Sequence, residues 1–270
     1  MIIDSHVHIG GKPLFEMKES IVLNAMTKYW IDKIIVSNAD SSEFDFQQNP
    51  IPSEFQTTMY DSTVRTVNFA RNNAERIFVA AWVKPKNEQP DKDFYDLIER
   101  NLDVIKAIKF HPYHSAEPFN SENTEGFIRL AQTFSLPVIT HTALDQFSRG
   151  DLVAEMAKKY PDVKFIMAHL ELNSDNLHAI DLCKETPNLY GDTAWVSFES
   201  VKKFVAECGS ERILFGSDMP IDGEDTYEKT KTGTRAVYQD YFAKAYTELG
   251  EENAKNLMFR NAQRIFNIGD

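Results

Sequence analysis

The sequence has little cysteine, too few basic residues and no long apolar run, and each shortage excludes a class of protein. Its two cysteines, Cys183 and Cys208, lack metal-binding or redox spacing and are interpreted as reduced thiols of a cytoplasmic protein. The 29 basic residues are outnumbered by 41 acidic ones, and the net charge of −12 argues against nucleic-acid and anionic membrane partners. No stretch approaches the ~20 apolar residues of a membrane-spanning helix, and the first residues show no secretory signal.

What is present is an alternation of short β-branched runs and longer amphipathic segments. In the amphipathic segments, apolar residues recur every three or four positions, which predicts helices. Eight strand–helix units in ~250 residues are typical of a TIM barrel, and the rival open sheet is disfavoured because no G-x-G-x-x-G turn is present. We therefore predict that residues 1–270 form a single (β/α)8 barrel domain with extra C-terminal helices. The candidate strands are 2–8, 33–37, 77–83, 104–110, 137–141, 164–169, 188–192 and 212–217.

Two connections are too long and too polar for simple links between a strand and a helix. They are residues 41–56, after the second candidate strand, and residues 219–233, after the eighth. In a barrel both lie at the carboxyl ends of the strands, where active sites are built. We interpret both as candidate lids, with ordinary surface loops as the alternative, and we expect 41–56 to cover part of the barrel mouth.

The first strand carries polar residues at every second position. Asp4, His6 and His8 alternate with apolar residues in MIIDSHVHIG. Because side chains two apart on a strand share a face, His6 and His8 can converge on one ion. The alternative is a pair of hydrogen-bonded core histidines.

The other strand ends decide between these readings. LPVITH ends in His141, VKFIMAH ends in His169, and ERILFGSD ends in Asp218. In a barrel these strand ends surround one mouth, although the residues are far apart in sequence. Four histidines and an aspartate around one pocket match the ligand preferences of zinc and its neighbours.

These residues resemble a known family. The Asp-x-His-x-His opening, the later His141 and His169, FGSDMP around Asp218 and the tail NLMFRNAQRIFNI are similar to the amidohydrolase superfamily of metal-dependent barrel hydrolases, most closely its amidohydrolase-related branch. The resemblance spans essentially the whole chain. It implies that His6, His8, His141 and Asp218 hold a divalent ion, most often zinc. It also implies that His169 is either a ligand of a second ion or an unligated acid/base.

The end of the fourth strand adds Lys109 and His111. The resemblance implies that a lysine here can be carbamylated and bridge two ions; the alternative is an unmodified lysine paired with a carboxylate. His111 is a candidate for binding an anionic substrate, whereas we expect His114 to be solvated in a loop. Trp195 follows the seventh strand and is a candidate for lining the substrate pocket, or an ordinary core or surface aromatic.

Two further carboxylates are expected to support the site without binding the ion. Asp192 ends the seventh strand and is a candidate for orienting a ligand histidine. Asp4 is interpreted in the same way, or as a capping or strand-end contact. Neither is therefore included in the predicted ligand set.

Three functions fit this pattern. The first is hydrolysis of a C–N or C–O bond in a small amide, lactone, cyclic imide or ester. In this reaction an ion lowers the pKa of bound water from 15.7 to about 7, and Asp218 takes the proton of that water. An unligated His169 polarises the carbonyl group of the substrate. The second, also found in this branch, is non-oxidative decarboxylation of an unsaturated or aromatic acid, favoured if His169 is unligated and Lys109 unmodified. The third is a metal-binding barrel without turnover. The family resemblance is also compatible with a homodimer.

Overall fold

The computed structural model describes residues 1–11, 16–221 and 239–269. Eight parallel strands follow one another around the sheet in chain order. Beyond β8, the Asp218 N–H donates to the His6 carbonyl, and the Ser5 N–H on β1 donates to the Phe215 carbonyl, both at 2.9 Å, which closes the ring. The predicted (β/α)8 barrel is therefore confirmed. The strands are β1 Ile3–Ile9, β2 Lys33–Asn38, β3 Ile77–Trp82, β4 Ile105–Phe110, β5 Val138–Ala143, β6 Phe165–Leu172, β7 Leu189–Asp192 and β8 Ile213–Leu214.

Helices follow the strands, as the sequence periodicity predicts. Several helices are capped by a residue whose side chain accepts a backbone N–H of the first turn. These capping residues are Thr58, Asp91, Ser121 and Ser197. The structure adds two helices that the sequence did not predict, α4 and α10. The helices are α1 Glu19–Tyr29, α2 Met59–Asn72, α3 Lys92–Arg100, α4 Pro112–Ser115, α5 Glu122–Thr133, α6 Gly150–Lys159, α7 Leu177–Glu185, α8 Phe198–Cys208, α9 Gln239–Glu248, α10 Glu251–Lys255 and α11 Asn261–Phe266, with a π-helical turn at Asn256–Arg260.

The inside of the barrel is apolar toward the amino ends of its strands. Inward-facing residues such as Ile35, Ala107 and Ile139 form one buried cluster with Ile265 and Phe266 of α11. The C-terminal helix therefore closes the lower end of the barrel. This packing leaves only the carboxyl ends for a pocket. Among the described residues, no helix has the length and apolar character needed to cross a bilayer.

Of the two candidate lids, 41–56 is described and contains the short 3-10 turn Ser53–Phe55. It folds back on α4, because the N–H groups of Glu43 and Phe44 both donate to the His114 carbonyl, at 3.0 and 2.8 Å. The other, 219–233, lies outside the described residues from 222 onward.

Candidate metal centre

A cavity of about 340 Å³ opens at the carboxyl ends of the strands. Ser42 and Phe46 line it, so the segment 41–56 lies at the predicted end of the barrel. Six of the seven histidines of the chain also line it, and His178 alone lies elsewhere. The six are His6, His8, His111, His114, His141 and His169.

Four of the predicted residues meet at one point in this cavity. The Nε2 atoms of His6 and His8 are 3.0 Å apart. Asp218 Oδ1 lies 3.0 Å from His8 Nε2 and 3.4 Å from His6 Nε2. His6, His169 and Asp218 also offer ligand atoms that all lie within 4.8 Å of one another. Elements far apart in sequence therefore deliver a compact group of nitrogen and oxygen donors.

The hydrogen bonds of three histidines fix which ring nitrogen faces the group. The rings of His6 and His169 are held through Nδ1 by a carboxylate and a carbonyl oxygen, so Nδ1 carries the proton and the Nε2 lone pair is left for the cavity. At His8 the partner of Nδ1 is a hydroxyl, which can donate or accept, and Nε2 again faces the cavity. The partners are Asp192 Oδ2 for His6 at 2.7 Å, Ser37 Oγ for His8 at 2.9 Å and the Ala194 carbonyl for His169 at 3.1 Å.

This donor set fits a divalent cation. The second oxygen of Asp192 accepts the N–H groups of His169 and Ala194, at 2.8 and 3.1 Å. Imidazole lone pairs that converge on a carboxylate oxygen repel one another unless a cation lies between them. An imidazole tied at its other nitrogen to a carboxylate or carbonyl is the usual form of a metal ligand.

The charge states agree with this fit. Burial lowers the pKa of His6 well below its ordinary value, and the charge of Lys109 lowers it further. Burial also lowers the pKa of His8, against the opposing effect of Asp218. For Asp218, burial alone raises the pKa, but the positive charge that His6, His8 and His169 carry when protonated outweighs burial and holds the pKa below its usual range. Metal binding displaces these protons, because the ligands are then neutral imidazoles and an ionised carboxylate.

Lys109 reaches the same group, as predicted. Its Nζ lies 2.9 Å from His6 Nε2, and its side chain is buried. Burial lowers the pKa of this amine to about 8. Among the described residues no carboxylate forms an ion pair with it, although the charges of Asp218 and Asp192 oppose the effect of burial on its pKa. Its carbamylation stays a prediction.

His141 and His111 form part of the cavity wall. Their rings stack at 4.0 Å between centroids and 12° between planes, and His111 stacks in turn on Trp82 at 5.3 Å and 9°. The His141 ring centroid lies 4.9 Å from that of His169. The structure thus places His141 beside the donor group, and its role as a ligand stays a prediction. Trp82 is a wall residue that the sequence reasoning missed, although it ends a barrel strand.

The prediction that His114 is solvated is wrong. This residue lies in α4, where it is buried, and its Nδ1 donates to the Phe44 carbonyl at 2.8 Å. The reason is tertiary, because the segment 41–56 folds over it. Pro112, at the first position of α4, was the sequence signal for this short helix.

Asp4 supports the site from outside the cavity. The pairing of β1 with β2 shifts register between Asp4 and Val7, so the regular alternation expected for Asp4, His6 and His8 is broken. The Asp4 carboxylate accepts the N–H of Ser217 at 3.0 Å and its hydroxyl at 2.5 Å. Asp4 is therefore a strand-end contact, which holds the residue before Asp218.

Trp195 lines the cavity with a specific polar contact. Its indole N–H donates to Asp218 Oδ2 at 2.7 Å, and its side chain is 39% exposed. His169, Trp195 and Asp218 have φ angles of 71°, 60° and 61°, in the left-handed region that side chains other than glycine rarely adopt. Such backbone conformations cluster at functional sites, where the surrounding structure enforces them.

Comparison with known proteins agrees with the fold. A family model described as amidohydrolase matches residues 38–268. The chain belongs to the amidohydrolase family. The match begins after β1, so His6 and His8 of this amidohydrolase are assigned from geometry. No curated protein matches the sequence.

Several solved structures share the fold of this chain. A 5-carboxyvanillate decarboxylase from Novosphingobium aromaticivorans, with bound manganese and a nitrobenzoic acid, is similar over 99% of this chain and 97% of its own (TM-score 0.74, 13% identity). A 2,6-dihydroxybenzoate decarboxylase is similar over 99% of this chain and 98% of its own (TM-score 0.64, 13% identity). A third structure is a probable 2-pyrone-4,6-dicarboxylic acid hydrolase from Acinetobacter baumannii with bound citric acid. It is similar over 98% of this chain and 99% of its own (TM-score 0.65, 12% identity). At these identities the likeness shows the fold alone.

Proposed function

We propose that this member of the amidohydrolase family is a metal-dependent lyase that removes a carboxylate group, as CO₂, from an aromatic or unsaturated acid. The observation that carries the proposal is the wall of the cavity. Trp82, His111 and His141 form a nearly parallel column of rings beside the donor group. A flat, conjugated ligand can pack against such a wall while one of its oxygens reaches the donor group. Decarboxylases of aromatic acids among the similar structures support this choice.

The proposed ion ligands are His6, His8 and Asp218, with His141 completing the set. A bound zinc or manganese ion supplies a Lewis-acidic centre that holds and polarises an oxygen of the substrate. Asp192 and Ser37 keep the lone pairs of His6 and His8 directed at this point. The chain's own contribution is therefore a rigid set of donors that is ready before the substrate arrives.

His169 is the proposed proton donor. Its Nδ1–H is anchored on the Ala194 carbonyl, and Nε2 faces the cavity. When Nε2 is protonated, it can deliver its proton to the carbon that bears the carboxylate. The bond between this carbon and the carboxylate carbon then breaks, its electron pair stays with the ring carbon, and CO₂ leaves. The neutral imidazole regains a proton from solvent.

Hydrolysis stays as a second candidate because of Lys109. Its Nζ lies 2.9 Å from His6 Nε2, where a carbamylated lysine would lie beside two ions. In that reaction Asp218 takes a proton from water and passes it to the leaving group. Metal content separates the candidates: two ions per chain favour hydrolysis, and one ion with an unmodified Lys109 favours the lyase.

The direct test measures CO₂ release and hydrolysis by the same protein preparation. The manganese and zinc forms are incubated with a panel of hydroxybenzoic acids, and separately with lactones, cyclic imides and esters. We expect CO₂ from at least one acid, and His169→Asn should keep the metal but lose ~10²–10⁴ of the rate, as is typical for loss of a general acid. His178→Asn, outside the cavity, is the matched control and should keep the rate. Hydrolysis of a lactone or amide without CO₂ release from any acid would overturn the proposal.

A further inference from the structure

One short turn after β7 contacts three residues of the donor group. The turn spans residues 192–196, and its contacts are made by an acid side chain, a backbone carbonyl and an indole. His6, His169 and Asp218, the three residues it contacts, come from β1, β6 and the segment after β8. The contacts are Asp192 Oδ2 with His6 Nδ1 at 2.7 Å, the Ala194 carbonyl with His169 Nδ1 at 3.1 Å and the Trp195 indole N–H with Asp218 Oδ2 at 2.7 Å.

This turn is itself held on both sides. The Thr193 hydroxyl donates to the Gly216 carbonyl at 2.9 Å and accepts the Gly216 N–H at 3.0 Å. The Tyr241 hydroxyl donates to the Val196 carbonyl at 2.7 Å. Because neighbouring elements fix the turn, its polar groups can fix the side chains they contact.

We propose that Trp195 is a positioning residue for Asp218. Its indole N–H holds Oδ2, so Asp218 directs Oδ1 toward His6 and His8 and toward an ion that these residues would hold. The inference rests on the proposed metal-dependent function. It deepens that function, because a carboxylate with one oxygen held by Trp195 offers the other to an ion in a fixed direction.

The other two tryptophans are internal controls. Trp30 is 83% exposed. Trp82 is buried in the cavity wall, and within the described part of the chain its indole N–H has no hydrogen-bond partner. The three indoles therefore have different surroundings: Trp30 is in water, Trp82 lies in the cavity wall, and Trp195 donates to a carboxylate. A spectrum of indole N–H groups should resolve three signals, one for each environment.

The first test is this spectrum, recorded by ¹H–¹⁵N correlation NMR on the metal-free protein. We expect one signal to lie downfield, to exchange slowly with water and to disappear in Trp195→Phe. In Asp218→Asn the same signal should move upfield, because a neutral amide is a weaker acceptor than a carboxylate, while the Trp30 signal stays in place. A Trp195 signal that does not respond to Asp218→Asn would overturn the assigned contact.

The second test compares two replacements of Trp195 by their affinity for Mn²⁺. Trp195→Phe keeps an aromatic ring but loses the N–H, whereas Trp195→His has a ring N–H at the equivalent position of its five-membered ring. We expect the phenylalanine variant to bind Mn²⁺ about 10-fold more weakly, at the lower end of the effect of residues that orient metal ligands. The histidine variant should recover most of this loss. Equal affinities of wild type and Trp195→Phe, or of the two variants, would overturn the positioning role.

These tests and the test of the proposed function can fail separately. The NMR signal and the Mn²⁺ affinity do not depend on any substrate. If both respond as expected but no acid releases CO₂, the positioning role stands and the lyase proposal falls. If CO₂ is released but neither measurement responds, the proposed function stands and Trp195 only lines the cavity.

Discussion

The two ends of the barrel interior differ in almost every chemical respect, although the same strands build both. The lower end is apolar, and α11 closes it with Ile265 and Phe266. The upper end is open and contains six histidines, a carboxylate and a lysine close to them. Along β4 and the residue after it the change takes place within five residues, from Ala107 in the apolar cluster to Lys109 and then His111 at the cavity.

The contrast teaches that stability and chemistry are separated along the strands. The buried polar groups of the upper end are costly unless they are paired, and the apolar lower end supplies packing that offsets this cost. We therefore expect mutations at the lower end to change stability with little effect on ion binding per folded molecule. Mutations of the donor residues at the upper end should do the reverse. Three predictions test this separation, from the largest expected effect to the smallest, and a fourth tests what a buried carboxyl near the mouth costs in stability.

The largest effect is expected from the double substitution His6→Ala and His8→Ala. It removes two nitrogen donors that converge on Asp218, so ion binding should be lost while the barrel still folds. Elemental analysis after dialysis measures the ion, and circular dichroism measures the fold. His178→Ala is the matched control and should keep the ion. Full metal occupancy in the double variant would show that the centre lies elsewhere.

The second prediction concerns the lower end. Phe266 is 2% exposed, and Phe266→Ala should lower the free energy of unfolding by about 3–5 kcal/mol, because it removes a buried ring and leaves a cavity. Urea unfolding measures the loss, and Mn²⁺ affinity below the unfolding transition should be unchanged. Phe55, 41% exposed, is the control, and its replacement by Ala should cost far less. A large change in Mn²⁺ affinity would show that the two ends are coupled.

The third prediction removes one charge from the upper end. Asp218→Asn keeps the shape of the side chain but loses its negative charge, and turnover should fall by at least ~10²-fold, equivalent to about 2.7 kcal/mol. The reason is that the carboxylate is the one anionic donor among His6, His8 and His169. Thermal melting checks the fold, and Asp103→Asn on the surface is the control. If Asp218→Asn turned over at the wild-type rate, Asp218 would have only a structural role.

The fourth prediction uses a buried carboxyl in the segment that lines the mouth. Burial raises the pKa of Glu43 to about 7, and within the described residues its Oε2 has no hydrogen-bond partner. The folded state therefore holds this proton more tightly than the unfolded chain, whose pKa is near 4.5. Wild-type stability should fall, relative to Glu43→Gln, as the pH rises from 4.5 through 7.

The difference at pH 8 should be about 3 kcal/mol in favour of Glu43→Gln, and near zero at pH 4. Urea unfolding at several pH values measures it. Glu54 lies in the same segment but is exposed, so Glu54→Gln should show no such trend. A pH-independent difference for Glu43→Gln would mean that the carboxyl has the same pKa in the folded protein as in the unfolded chain.

The sequence by itself determined the barrel and most of its centre. Apolar runs spaced by amphipathic segments predict eight strands and their helices because these patterns reflect local burial. Polar residues at the ends of such runs are conspicuous, since burying them there is costly. This is why His6, His8, His169 and Asp218 could be predicted as one group, and why Lys109 was placed beside them.

Tertiary structure alone decided which residues support that group. His114 is buried because a segment some seventy residues earlier folds over it. Asp4 leaves the cavity face because a register shift interrupts β1. The indole of Trp195 meets Asp218 because one turn is held against the segment after β8. Such contacts depend on where distant backbone segments meet, and a one-dimensional pattern of burial carries no record of these distances.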